Sequence, residues 1–216
     1  MGRPLVLRED SVGVPKRYRF VDRRYGLSDQ AVLDVGCGRG EYLGLMGAGS
    51  VGLELDGRLI EEGRQRGLDI RQWNFEEGLP QDLQGAFDVV WCSNLLEHSP
   101  APHELLLRLR TAFRAEGVLL VAVPVVHRIA RGAWHGFLAH DHVSFFTPRT
   151  AALTIERAGF SVEWVASGSA PGLPLWVCRL LTVVSPGVVV AARPIPDFAY
   201  PEKSPKRLID GRIEYE

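Results

Sequence analysis

Three sets of residues in this 216-residue chain have types and spacings that can do chemistry. The first is VLDVGCGRGEY at 32–42, where an apolar run ends in Asp34 and Gly36, Gly38 and Gly40 follow at alternate positions. Glycines in such a turn permit positive φ and let a ligand lie against the backbone with no Cβ in the way. A dinucleotide turn needs G-x-G-x-x-G, so that pyrophosphate reaches a helix N-terminus. Here the third glycine comes one position early, and Glu41 stands where the dinucleotide glycine would be. A carboxylate there repels pyrophosphate but tolerates a cationic ligand without phosphate. S-adenosylmethionine, with its sulfonium, amino-acid end and adenosine, meets that description. The same spacing disfavours a nicotinamide-dependent oxidoreductase.

The second set would hold the rest of such a donor. Glu54 ends a second apolar run, twenty positions beyond Asp34, a place from which a carboxylate can accept both ribose hydroxyls. Asp56 reads as the start of the next helix. Asn74 suits an adenine edge, and Phe75 either covers a ring face or packs in the core. The third set concerns the acceptor. Glu97 and His98 follow a later apolar run, and His127, His135, His140, Asp141 and His142 crowd a single stretch. Methyl transfer is a direct displacement at the sulfonium carbon, in which alignment supplies much of the rate. A hydroxyl or amine acceptor must also lose a proton. His98 is a base candidate, or else a structural histidine whose ring bonds a neighbouring carbonyl. His140-x-His142 has metal-like spacing but is too short a pattern to define a site.

The elements that must position these residues appear as an alternation. AVLDV (31–35), VGLEL (51–55), FDVVWCS (87–93) and GVLLVAVP (117–124) read as strands buried on both faces. LDIRQW (68–73), SVEWVA (161–166) and VVVAA (188–192) are three further strands. RLIEEGRQRG (58–67), HELLLRLRTAFR (103–114) and PRTAALTIERAGF (148–160) have helical periodicity, the last entered through Thr147 and Pro148. A helix is also expected to begin near Glu41, with its free N–H groups facing the ligand. Such alternation predicts a mostly parallel sheet. The stretch 124–146 is longer than most loops and reads as functional or mobile.

Composition sets the outer limits. Apolar residues make up 46% and charged residues 24%, with a net charge of -1, so nothing global points to nucleic acid or an anionic membrane. The first 28 residues are locally basic and read as a solvated helix face. Pro194, Pro196, Pro201 and Pro205 mark an extended tail, draped on the body or on a partner. The expected organisation is an N-terminal helical extension (1–28), one α/β domain (29–193) and a tail (194–216). Cys37, Cys92 and Cys178 show no close pairing, which suits reduced thiols in a cytoplasmic setting. No apolar stretch approaches the roughly 18 residues of a membrane span, and no signal-peptide core follows the N-terminal charges.

Taken in order, VLDVGCGRG, GLELD, the Asn74-Phe75 step, FDVVWCSNLLEHSPAP and HVSFFTPRTAALTIERAGF resemble the class I S-adenosylmethionine-dependent methyltransferases. The subgroup most resembled comprises small-molecule enzymes whose fourth strand runs into "LEH". The resemblance covers about residues 30–192. It implies a Rossmann-like three-layer α/β sandwich, with a seven-stranded, mostly parallel sheet and one antiparallel strand. SVEWVA and VVVAA would form the closing hairpin. By the same resemblance Asp34, Gly36, Cys37, Gly38 and Gly40 hold the methionine portion of the donor. Glu54 and Leu55 flank the ribose, Asn74 and Phe75 the adenine, and Ser93, Asn94 and Leu95 lie beside the donor. Asn74 departs from the aspartate common at this step. Some ubiquinone-pathway relatives bind a divalent metal through Glu-x-x-Glu-His. Here Asn94 replaces the first glutamate, so no metal is expected. His142, just before FFTP, is expected on the acceptor side with His98. Trp134, Phe137, Phe145 and Phe146 would wall that side, one of the last two anchoring the next helix. The function implied is methyl transfer from S-adenosylmethionine to a small-molecule or a carrier-, lipid- or sugar-linked acceptor. GLELD and IEEGRQRGLDIRQWNFEEGLP also resemble methionine-biosynthesis accessory proteins, which would make the chain a non-catalytic partner subunit. PGLPLWVCRLL (171–181) is expected to fold over the site or dock a partner, and an oligomer is compatible with the sequence.

Overall fold

The computed structural model describes residues 14, 16–75, 77–126, 141–168 and 187–199, together with the backbone of 206–209 and 212–215. The apolar runs form the strands β1 (Val32–Val35), β2 (Val51–Glu54), β3 (Ile70–Gln72), β4 (Phe87–Ser93), β5 (Phe113–Pro124), β6 (Phe160–Ser167) and β7 (Gly187–Pro194). They make one sheet in the order β3-β2-β1-β4-β5-β7-β6. β1 to β5 pair in parallel, and β7 runs antiparallel to both β5 and β6. The sheet therefore has six strands in one direction and one reversed strand, as expected, with β6 and β7 as the closing pair.

Every residue of β1 is buried, because helices cover both faces. Side chains alternate between them with the strand period of two. Val90 and Cys92 of β4, and Leu119 and Val121 of β5, share one core with Leu105, Leu106 and Leu109 of α3 (Pro102–Leu109) and Ile155 of α4 (Pro148–Arg157). Val89, Trp91, Val118 and Leu120 face the other way, against Tyr18 and Val21 of α1 (Lys16–Tyr25). The basic N-terminal segment is thus solvated on only one face: Arg19, Arg23 and Arg24 are exposed while Tyr18 and Val21 are buried. α2 (Gly57–Gln65) packs Ile60 beside Cys37, Leu43 and Ile70.

The helix starts follow local chemistry. The Asp56 carboxylate accepts the Arg58 N–H (2.9 Å) and caps α2. Thr147 and Thr150 form a reciprocal capping box on α4, with Pro148 in the first turn. Two expected helices change. No α-helix forms at Glu41; the chain turns there and makes only a 3₁₀ turn at Leu43–Leu45. Gly44, Gly47 and Gly49 weaken any helix in this stretch, and a Cβ on Gly47 would lie 2.5 Å from the Gln30 carbonyl oxygen. The second expected helix stops at Leu109 and passes through a 3₁₀ turn at Arg110–Ala112. Phe113 then opens β5, opposite Phe87 in β4 and edge-on to Phe160 at 5.8 Å. Sheet pairing and aromatic packing override the helical period there.

The tail lies on the body at its start. The Ile195 N–H donates to the Gly159 carbonyl (2.9 Å), and the Arg110 guanidinium lies over the Phe198 ring at 5.0 Å. Further on, β8 (Lys206–Ile209) and β9 (Arg212–Tyr215) pair as an antiparallel hairpin. Among the described residues no helix is long and apolar enough to cross a membrane. The apolar stretch 171–181 and Cys178 lie outside the described residues.

Candidate active site

Strand order reverses at β1: the chain runs outward to β2 and β3, then returns to place β4 on the opposite side of β1. Ligands of such sheets bind beyond the carboxyl ends of the strands at this switch. A cleft of about 370 Å³ opens there, lined by Asp34, Gly36, Cys37, Gly38, Glu41, Tyr42, Ser93 and Asn94. Gly36 (φ 71) and Gly38 (φ 58) hold the left-handed backbone that the turn requires. Asn94 adopts it too (φ 53), anchored by its N–H on the Ala122 carbonyl (2.8 Å). A non-glycine residue in this region is a strained conformation of the kind found at functional sites.

Glu54 ties the glycine turn to the end of β2. One carboxylate oxygen accepts the Gly38 N–H (2.9 Å), and the other accepts the N–H groups of Leu55 (2.7 Å) and Asp56 (3.0 Å). A carboxylate offers about four lone-pair sites, so capacity remains for a ligand hydroxyl. Asp34 is 2% exposed and its Oδ2 has no hydrogen-bond partner. Burial pushes the Asp34 carboxyl up to about 8, and the neighbouring Glu41 and Glu54 carboxylates add to the effect. The buried Ser93 Oγ is also without a partner. Arg39 pairs with Glu41 (3.3 Å) and Glu62 (3.0 Å) where these side chains are exposed. The result is a small cleft ringed by carboxylates, with two unpaired polar atoms at its wall.

The remaining expected donor residues lie outside this lining. Gly40 (φ 78) turns toward Leu68, where a Cβ would come 2.5 Å from Leu68 Cδ1. Leu95 packs on Gly36, its Cδ1 3.0 Å from where a Cβ would stand. Leu55 is 51% exposed next to Glu54. Asn74 and Phe75 follow β3, and Phe75 is half-buried against the core. Its carbonyl accepts from Arg108 Nη1 (3.1 Å).

Tyr42 and Tyr18 are two aromatic residues that reading the sequence did not single out. Tyr42 lines the cleft and stacks on Tyr18 of α1 at 5.1 Å, and both rings meet Trp91 edge-on. The available signal was the spacing of Tyr18, Val21 and Tyr25, which puts an apolar stripe on one face of a basic helix.

The turn that carries Asn94 continues into a 3₁₀ turn at Leu96–His98. Glu97 is 2% exposed, and burial raises its carboxyl. His142 arrives from the segment before α4. Its ring lies edge-on to His98 at 4.8 Å, and one ligand atom from each of Glu97, His98 and His142 falls within 4.8 Å of the others. The arrangement is held by backbone: the N–H groups of Val143 and Ser144 both donate to the Glu97 carbonyl (2.9 and 3.0 Å), and Ser144 Oγ donates to the Ser99 carbonyl (2.8 Å). His98 Nδ1 lies 3.3 Å from an Asp141 carboxylate oxygen and 3.2 Å from the Asp141 carbonyl. Phe146 is the buried anchor at 5% exposure, while Phe145 is 52% exposed. His127, Trp134, His135, Phe137 and His140 lie outside the described residues.

A doubly wound seven-stranded sheet with one reversed strand, and a glycine cleft at its switch point, defines the class I methyltransferase architecture. Residues 16–164 match the family model of a methyltransferase domain. The chain belongs to that family, is an enzyme of it, and uses S-adenosylmethionine as methyl donor; the accessory-subunit reading is set aside. It is 30% identical over 173 residues to a ubiquinone biosynthesis O-methyltransferase of Xanthomonas euvesicatoria pv. vesicatoria, covering 70% of this chain and 71% of the relative. A protein of the same description from Acinetobacter baumannii is 28% identical over 176 residues, covering 69% and 71%. Among solved structures, a methyltransferase from Mesorhizobium loti aligns with a TM-score of 0.58 at 16% identity, over 77% of this chain and 92% of that one. The geranyl diphosphate C-methyltransferase of Streptomyces coelicolor A3(2), complexed with Mg2+, geranyl diphosphate and S-adenosyl-L-homocysteine, aligns with 0.63 at 16%, over 82% and 79%. At such identities the structural likeness speaks for the fold.

Proposed function

We propose that the chain transfers the methyl group of S-adenosylmethionine to a hydroxyl oxygen of a small-molecule acceptor. The observation that carries this reading is the continuity of one turn: Ser93 and Asn94 line the donor cleft, and Glu97 and His98 follow them to meet His142. Relatives named as ubiquinone biosynthesis O-methyltransferases support oxygen as the accepting atom. The exposed Val143 and Phe145, on either side of Ser144, favour an acceptor with an apolar portion.

In this reading Asp34 and the turn at Gly36, Cys37 and Gly38 take the methionine end of the donor. Glu54 takes the ribose beside Leu55, and Asn74 and Phe75 flank the adenine. The acceptor oxygen attacks the methyl carbon, the carbon–sulfur bond breaks, and its electron pair returns to sulfur as a neutral thioether. The hydroxyl proton leaves at the Glu97–His98–His142 cluster, where Asp141 orients the His98 ring.

The test is transfer from methyl-labelled donor to matched phenol, aniline and thiol acceptors bearing the same apolar substituent. Label in the phenol alone is expected. Transfer to the amine or thiol with none to the phenol would sink the assignment of oxygen.

A further inference from the structure

Against the Glu-x-x-Glu-His pattern that the resemblance brings in, this chain keeps Glu97 and His98 and has Asn94 in place of the first glutamate. The fold supplies a third donor from elsewhere. We infer that this chain binds one divalent transition-metal ion through Glu97, His98 and His142, with His142 filling the ligand place that Asn94 leaves. The inference rests on the acceptor-side reading above and deepens it.

Four observations converge. One potential ligand atom from each residue lies within 4.8 Å of the other two. Ligands held tetrahedrally about 2.1 Å from a common ion stand about 3.4 Å apart, so the widest pair has up to about 1.4 Å to close. Small torsional changes in side chains supply that. Second, Glu97 is 2% exposed and its Oε2 has no hydrogen-bond partner. A carboxylate oxygen buried in that way is costly unless something positive meets it. Third, the ligand-bearing segments are tied to one another before any ion arrives, because Val143 and Ser144 both donate to the Glu97 carbonyl. Fourth, an Asp141 carboxylate oxygen lies 3.3 Å from His98 Nδ1. That is the outer-shell contact that fixes the ring of a metal-bound histidine and leaves its other nitrogen to the ion.

The donor set decides which ion. Two imidazoles and one carboxylate suit Zn2+, Co2+ or Fe2+, whereas Mg2+ and Ca2+ prefer oxygen alone. A dication held there lowers the pKa of a hydroxyl bound to it. His142 for a carboxylate therefore changes metal preference as well as completing the site.

The experiment uses the full chain, stripped of metal and titrated with Co2+ alone, followed by its visible d–d absorption. Zn2+ content after equilibrium dialysis is the second readout. One equivalent per chain is expected, undisturbed by excess Mg2+. His142→Ala should weaken Co2+ binding at least about 100-fold and Asp141→Asn about tenfold. A variant with His127, His135 and His140 all changed to alanine should bind as the parent does. Calorimetry with the demethylated donor product identifies any variant that has not folded; Glu97→Gln, closest in shape, then replaces it. Unchanged Co2+ binding in His142→Ala, loss of binding in the triple variant, or displacement by Mg2+ would overturn the site. Metal binding with no transfer to any hydroxyl acceptor would instead overturn the oxygen-transfer reading and leave the metal site standing. Efficient transfer by a chain that takes up no metal would do the reverse.

Discussion

In the proposed reading, the two edges of the active site are built from different materials. At the donor edge, between β1, β2 and β4, the working groups are mostly backbone: a glycine turn in left-handed conformation whose Gly38 N–H is held by Glu54. At the acceptor edge they are side chains, Glu97, His98 and His142, brought together from segments far apart in sequence. Backbone chemistry tolerates almost no change, because a Cβ at Gly36 or Gly38 would meet strain whatever the space. Side-chain chemistry can be exchanged between positions so long as the atoms meet at the same place. A donor common to a whole family and an acceptor particular to each member call for these two kinds of construction.

That division means the edges can be broken separately. The largest effect is expected from Glu97→Gln. Turnover should fall about 100- to 1,000-fold, within the range of a lost proton-transfer group, while calorimetry finds the donor product bound as tightly as before. A parallel loss of product affinity would mean that the edges are not separable. Glu54→Ala should do the converse. It removes the acceptor of three backbone N–H groups and should weaken binding of donor and product by about 3 kcal/mol, or ~150-fold.

Asp34→Asn sharpens the comparison through pH. The Asp34 carboxyl is pushed up to about 8 by burial. Between the ordinary carboxylate range and that value, the folded chain therefore keeps a proton that the unfolded chain has lost. Unfolding free energy falls as pH rises through this window, and the asparagine variant should lack that decline in thermal melts. Binding of a cationic donor favours the ionised form, so parent affinity for S-adenosylmethionine should climb by up to ~tenfold per pH unit below about 8. A parent profile as flat as that of the variant would show that Asp34 is ionised throughout. The smallest effect is expected from Phe145→Ser. This exposed side chain should alter stability by less than about 0.5 kcal/mol and leave donor binding alone, while raising the acceptor KM severalfold.

The same contrast explains what reading the residues could reach. Strand positions, the reversed β7 and the cleft lined by Asp34, Gly36, Cys37 and Gly38 were legible, because buried parallel strands are near-continuous apolar runs and glycine turns have few substitutes. Gly40 shows the limit. It shares the turn's spacing, and its missing Cβ also makes room for Leu68, a packing demand that no local pattern announces. The helix expected at Glu41 was lost to three glycines further on, and the one expected through Arg114 was cut short by pairing with β4. His142 could be singled out by its motif, but its meeting with Glu97 could not, since nothing local encodes a contact made by the return of a distant segment. Phe145 and Phe146 are adjacent and chemically equal; only the burial of the second distinguishes them.

α1 has a consequence of its own. Tyr18 near one end of the helix stacks on Tyr42 in the cleft wall, and Tyr25 at the other end stacks on Trp164 in the edge strand β6, where its hydroxyl also accepts the indole N–H (2.8 Å). One short helix therefore clasps the middle of the sheet to its far margin. Trp91 and Trp164 sit under its two ends as native fluorophores. Donor entry against Tyr42 would be heard first at Trp91, and loosening of the clasp at Trp164, so one protein carries separate optical reports of its cleft and its frame.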